Sequence, residues 1–265
     1  PDLDETAAVD VMAIHALVTD EGAVPGEDSR PPFQSPHHST SPAALLGSVH
    51  GGAVRPGAVS LAHRGVLFLD EAPEFPRNTL EALRQPVESG VVSLHRASWS
   101  GEVPADFQLL VAANPCPCGY FGALGPRAPI CRCPSAARRA YAARVSGPLL
   151  DRIDLRVQLH PIRARTRGET TAVVAQRVQA ARLRALRRWG CINSRVSSSV
   201  LGQHALEGKA QELLDSHLRA FGGLRSTHRI TTVAWTLCDL AGRERPNADD
   251  IIEATEWHQP LWQES

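Results

Sequence analysis

Apolar positions along the chain follow two periods, and the change between them sets the architecture. Val9, Met12, Ile14 and Leu17 recur at roughly helical spacing behind an Asp/Glu-rich opening, which predicts a helix within 1–19. From Gly22 to Ser41 the chain turns to Pro, Gly, Ser and His and reads as loop; Gly47 to Gly57 reads as a second, flexible Gly-rich excursion. Val66-Leu67-Phe68-Leu69 is an unbroken apolar run that ends at Asp70 and Glu71. A run with no polar alternation is the pattern of a strand buried on both faces. Pro76 to Ser89 predicts one helix, with Leu80, Leu83 and Val87 on one face and Gly90 as its stop. Val91 to Leu94 and the segment before Pro104 predict a hairpin, and Phe107 to Ala113 predicts a second buried strand. Helices alternating with parallel-type strands favour a doubly wound α/β sheet.

The second half is helical in pattern. Thr170 to Trp189 predicts a long Arg-rich helix with Val174, Val178, Ala181 and Ala185 along one stripe, read as a solvated connecting helix rather than a nucleic-acid face. Helices are predicted around Ala205 to Phe221, Thr227 to Ala241 and Asn247 to His258, punctuated by Gly222-Gly223 and Gly242.

Composition narrows the class. The chain has 265 residues, 43% of them hydrophobic and 21% charged, with a formal net charge of zero. That balance gives no global basic footprint for nucleic acid. No apolar run approaches membrane-spanning length and no signal-peptide pattern is present, so the expectation is a cytoplasmic protein with no membrane partner. Lys209 is the one lysine among 28 basic residues.

The chemistry gathers at the ends of the apolar runs. Asp70 and Glu71 stand where the carboxyl edge of a parallel strand is expected, the edge at which open α/β sheets bind ligands. In a nucleotide hydrolase the Asp of such a pair holds Mg²⁺, usually through water, and the Glu polarises the attacking water. Asn114 ends the second run and, if the strands are neighbours, is placed to orient that water; a turn-forming Asn before Pro115 is the plainer reading. Arg152 lies between Asp151 and Asp154, either in a local ion pair or as an arginine finger presented to a neighbouring subunit. Cys116-x-Cys118 and Cys131-x-Cys133 form two close pairs of the kind that build a Cys₄ zinc site; disulfides and unrelated thiols are the alternatives. Cys191 and Cys238 read as core thiols. His37 and His38 sit in a Pro/Ser loop and read as surface residues rather than ligands.

Several long segments resemble the magnesium-chelatase-like branch of the AAA+ ATPases, and within it the ComM/YifB competence-protein family. They are Pro32-Phe33-Gln34-Ser35-Pro36-His37-His38-Ser39, Ser60 through Phe75, Asn114-Pro115-Cys116-Pro117-Cys118-Gly119, and Ser146 through Asp154. The resemblance implies an AAA+ P-loop-type parallel sheet, incomplete at its N-terminus, followed by a small all-α lid. It divides the chain into a core over 1–162 with a Cys-rich insert at 115–134, a connecting helix over 163–190, and a lid over 191–265. It implies Asp70 and Glu71 as the Walker B pair, Asn114 as sensor 1, Arg152 as the arginine finger and Arg225 as the sensor 2 arginine, with Arg229 as a rival. ATP and Mg²⁺ at Asp70 are the cofactors it implies, and a homo-oligomeric ring, expected as a hexamer, the assembly.

One departure bears on activity. Such ATPases hold phosphate on G-x-x-x-x-G-K-[ST]. Around Lys209 the glycines, Gly202 and Gly208, are one residue too far apart, and Ala210 stands where Ser or Thr is required. The chain therefore reads as a C-terminal fragment of such an ATPase or a truncated gene product, expected to be inactive alone. The function the resemblance implies is an ATP-driven motor acting on DNA in recombination or natural transformation. A chelatase-type remodelling subunit and a non-catalytic, zinc-stabilised assembly or DNA-binding remnant are the alternatives.

Overall fold

The structure is a computed structural model describing residues 2–18, 29–96, 99–122, 130–159, 168–204, 206–221 and 223–258. The chain divides into two compact units, residues 1–153 and 154–265.

In the first unit α1 (Glu5–His15) starts at Asp4, whose carboxylate accepts the Ala7 N–H at 2.8 Å and so satisfies a helix-end donor. Then come β1 (Phe33–Gln34), α2 (Pro42–Leu46), β2 (Gly47–His50), β3 (Ala53–Pro56), α3 (Ala58–Leu61) and β4 (Val66–Leu69). The region predicted as loop over 22–41 thus contains a short strand; its residues 22–28 lie outside the described residues. The region predicted as a flexible excursion is an antiparallel hairpin of β2 and β3, turning through Gly51 and Gly52, both at positive φ. Val49 and Val54 are its one pair of large apolar residues, too little alternation to mark a strand.

A 3₁₀ turn over Ala72–Glu74 leads to α4 (Arg77–Ala82) and α5 (Arg84–Ser89). One helix was expected across this span, and it breaks at Leu83. Pro86 has no N–H to offer the Ala82 carbonyl, and its ring crowds that turn. The hairpin β5 (Val91–Arg96) and β6 (Trp99–Pro104) follows as expected, then β7 (Gln108–Val111), α6 (Ser135–Ala142) and α7 (Gly147–Leu150).

β1, β4 and β7 form a parallel sheet with β4 in the middle. Leu67 and Leu69 point into a core with Leu45, Val59, Phe75, Leu80, Leu83, Val92 and Leu149. Each fully buried leucine stabilises by about 1.5–3 kcal/mol. The opposite face corrects the expectation of strands covered on both sides. Val66 and Phe68 are only partly buried, Phe33 is 61% exposed and Leu110 50%. In register these four share one side, and the buried cluster of this unit lies on the other. The amino ends of the strands are pinned by Arg64, which reaches the Asp106 carboxylate at 3.1 Å and Asp10 at 3.5 Å.

The second unit is all helical: α8 (Thr171–Trp189), α9 (Ser198–Gln203), α10 (Gly208–Phe221), α11 (Leu224–Leu240) and α12 (Ala248–Glu256). The first half of α8 is solvent-exposed, whereas Ala181 and Ala185 are buried. Trp235, Ile230, Ala234 and Ile251 centre the core. Asp239 is fully buried and receives the Arg188 guanidinium at 2.5 and 3.1 Å and the Asn193 amide at 2.9 Å. A charge taken this far from water needs such partners. α12 opens with a capping box between Asn247 and Asp250, and Asp250 also takes Arg243 through both oxygens at 2.6 Å.

Candidate functional site

β4 stops at Leu69 because the next residues turn. Glu71 adopts a left-handed backbone, φ 51°, where a non-glycine residue is strained. The Asp70 carboxylate accepts the Glu71 N–H at 2.9 Å and stabilises the turn, leaving both acids exposed. β7 runs alongside, with Leu69 paired to Val111. Two further bonds carry the contact past the strand ends: Ala112 N–H to the Leu69 carbonyl and Ala72 N–H to the Ala112 carbonyl, each 2.9 Å. Asn114 follows Ala112 by two residues, beyond the same end of the ladder. It also lies under Gly119, where a Cβ would stand 3.9 Å from its Oδ1.

β1, on the other side of β4, delivers a residue that sequence reasoning set aside. His38 Nδ1 lies 3.7 Å from Glu71 Oε2. Its ring stacks near His37 at 4.0 Å between centroids and meets Phe75 edge-on at 6.4 Å. His37 Nδ1 is in turn 2.8 Å from the Ser39 hydroxyl. No spacing rule could have found the His38–Glu71 approach, since it depends on how two strands align.

Arg152, at the end of α7, is only 12% exposed at its side chain and is engaged within its own unit. Its Nε donates to Glu88 at 3.0 Å, a second nitrogen also reaches that carboxylate, and its Nη1 donates to the Pro148 carbonyl at 2.7 Å. Arg225 and Arg229 both lie on α11 in the second unit, one turn apart. Arg229 Nε is 3.2 Å from the Asp154 carboxylate.

The four cysteines converge. Their sulfurs all lie within 4.8 Å of one another. Cys116 is 3.4 Å from Cys118 and 3.6 Å from Cys131, and Cys118 is 3.6 Å from Cys131. These separations far exceed the ~2.05 Å of a disulfide. A backbone hydrogen bond from Tyr120, then bonds from the other three thiols, outweigh burial and bring Cys118 down to about 6. Hydrogen bonding to Cys118 leads the causes that push Cys133 up to about 11. Cys238 is buried as expected, and burial pushes its thiol up to about 11.

α6 ties this cluster to the carboxylate turn. At its start Arg138 donates to the Cys133 carbonyl at 2.9 Å. Just past its end Arg144 donates to the Pro73 carbonyl at 3.0 Å and the Glu74 carboxylate at 3.1 Å. Neither arginine carries a sequence signal of its role. Among the described residues no helix is long and apolar enough to cross a membrane.

Comparison with known proteins fits this geometry. The family model described as magnesium chelatase, subunit ChlI, matches residues 1–167, and that of the ChlI C-terminal region matches 168–258. A protein of Mycobacterium tuberculosis H37Rv is 44% identical over 98% of this chain and 52% of its own length. YifB of Escherichia coli K12 is 41% identical over 91% of this chain and 47% of its own length. Competence protein ComM of Haemophilus influenzae Rd is 37% identical over 96% of this chain and 50% of its own length. The chain spans about half the length of these relatives. With both family models in register over almost its whole length, the chain belongs to the magnesium-chelatase-like family that includes YifB and ComM.

Proposed function

We propose that these residues form the Walker B and sensor half of an ATP-hydrolysing AAA+ motor that works as a ring, expected as a hexamer, on DNA. The observation that supports it is the side-by-side parallel pairing of β4 and β7, with Asp70, Glu71 and Asn114 at one edge. The donor set fits magnesium-ATP: two exposed carboxylates follow the central strand of the sheet, and an amide follows the neighbouring one. Bound magnesium-ATP supplies the phosphoryl group whose transfer to water drives the motor.

In this reading Asp70 holds the metal's water shell, Glu71 accepts the proton of the attacking water, and Asn114 orients that water. Arg152 acts on a neighbouring subunit's nucleotide once it leaves Glu88, and Arg225 serves as the sensor 2 arginine. The phosphate-binding loop that this reading requires is not among these 265 residues. The cofactors are therefore ATP, Mg²⁺ and, at the cysteine cluster, Zn²⁺. DNA is taken as the substrate class from the resemblance to the competence-protein family, one relative of which is named a competence protein.

The test uses a chain extended upstream as in the relatives. It should bind magnesium-ATP, hydrolyse it, and turn over faster with forked or single-stranded DNA, with salt weakening the DNA effect. Nucleotide binding without any DNA response favours the remodelling-subunit reading. No nucleotide binding by the extended chain overturns the motor.

A further inference from the structure

The cysteine cluster does more than its spacing announces. Four thiolates around one zinc ion at ~2.3 Å stand about 3.8 Å apart along each tetrahedral edge. The cluster's sulfur contacts of 3.4 to 3.6 Å, with every pair inside 4.8 Å, match that figure. A two-iron cluster spreads its four cysteines over two metal ions and needs a wider set. The surroundings also suit a structural metal. Cys116 is fully buried, the other three sulfurs are close to it, and the Arg138 guanidinium fixes the backbone carbonyl of Cys133. Such outer contacts orient the donors of a metal site.

The position in the fold gives the site a consequence. Cys116 lies two residues after Asn114, and the turn at Gly119 packs over the Asn114 amide. Cys133 lies two residues before α6, and α6 carries Arg144 to Pro73 and Glu74, immediately after the Asp70–Glu71 turn. The cluster therefore closes a ring of contacts: out of β7 through Asn114, across the sulfurs, along α6, and back to the carboxylate turn after β4.

We propose that Cys116, Cys118, Cys131 and Cys133 hold one zinc ion, and that this ion staples the exit of β7 to α6, fixing Asn114 beside the turn that carries Asp70 and Glu71. Up to four thiol protons leave to solvent as the ion binds, so loading is proton-coupled. Without the ion the four residues are free thiols, and the span from Asn114 to α6 loses its only cross-link among the described cysteines. Asn114 and the turn are then held together by the β4–β7 ladder and the two bonds that continue it at Ala112. The zinc site stands on sulfur geometry; its consequence for Asn114 as a catalytic amide rests on the motor reading. The experiment below reads no ATP, so either reading can fail without the other.

The chain is purified in metal-scrubbed buffer and its metal content measured by mass spectrometry, followed by Co²⁺ substitution and hydrogen exchange with and without zinc. About one zinc per chain is expected, and Co²⁺ should give the intense thiolate-to-metal absorption of a tetrahedral sulfur site. Cys133→Ser should lose the metal. If that variant does not fold, the Co²⁺ titration of the unaltered chain decides the matter. Zinc should slow amide exchange at 108–114 and 135–144 as well as in the cysteine segment. A metal-free chain with reactive thiols, or one carrying iron, overturns the site. Protection confined to residues 116–133 overturns the staple.

Discussion

His38 stands 3.7 Å from the Glu71 carboxylate, Nδ1 to Oε2, across the junction of β1 and β4. Glu71 is half exposed and held in a left-handed turn, so its carboxylate has few other side chains to set its direction. If Glu71 is the base of the proposed motor, this approach makes the imidazole the group that would position it. In the extended chain, His38→Ala should lower kcat for ATP by about 10- to 100-fold, the cost of a misplaced group, with KM changed little. His38→Asn, which keeps a donor near the carboxylate, should recover part of the loss. Equal falls in kcat and in melting temperature for both variants would make the contact merely structural.

Glu71→Gln in the extended chain should bind magnesium-ATP as well as the unaltered protein and hydrolyse it at least about 100-fold more slowly. The amide keeps the size of the side chain and removes its capacity to take a proton. Asp70→Asn should instead raise the Mg²⁺ concentration needed for half-maximal turnover. Steady-state hydrolysis across a Mg²⁺ series separates the two roles, and undiminished turnover by Glu71→Gln removes that residue from the mechanism.

The 265-residue chain by itself should show no hydrolysis above background. Its carboxylates can order metal and water only against a phosphate that something else holds, and the Gly-rich loop with its lysine is not in this sequence. Turnover by the purified chain that disappears in Glu71→Gln would mean that phosphate is gripped by another route.

Arg152 gives a test of assembly. It is tied to Glu88 and the Pro148 carbonyl in its own subunit, yet the proposed role needs it at a neighbour's nucleotide. In the extended protein, Arg152→Ala and Glu71→Gln should each be inactive alone. Mixed rings should regain activity at interfaces that pair an intact Glu71 with a neighbour's intact Arg152. No recovery in titrated mixtures shows that Arg152 acts within its own subunit.

The second unit offers a stability test free of chemistry. Asp239 is fully buried and holds Arg188, Asn193 and, through its carbonyl, Arg184. Asp239→Ala leaves the Arg188 charge without its carboxylate and should cost about 3–5 kcal/mol. Denaturant unfolding measures it. A loss below about 1 kcal/mol would show that water replaces the carboxylate.

Much of this was written in the apolar runs. Val66–Leu69 and the run ending at Asn114 announced two strands with chemistry at their ends, and the pairing of β4 with β7 brings those ends together. The C-x-C pairs announced the cluster before any coordinates. What stayed hidden depended on long-range geometry. Arg152 meets Glu88 across 64 residues, and His38 meets Glu71 through a two-residue strand, so neither leaves a local trace. The break at Leu83 was legible in Pro86, but an apolar face running on through Val87 masked it. The open face of the sheet was concealed for the opposite reason: apolar residues there predict a cover, whereas Phe33 and Leu110 are exposed.

Gly65 has no chemistry, yet every arm of the site turns on it. A Cβ at this position would sit 1.9 Å from the Pro32 carbonyl oxygen, and backbone cannot step aside. The chain passes there because Val66 N–H bonds that same carbonyl at 2.8 Å while the Gly65 carbonyl takes Gln108 N–H at 2.9 Å. One missing methyl group thus sets the spacing of three strands whose far ends carry His38, Glu71 and Asn114. In a saturation mutagenesis screen Gly65 should be as intolerant as Glu71, although it touches no reactant. Sensitivity in such a map marks the pivot of a lever as faithfully as its working tip, and only the structure tells them apart.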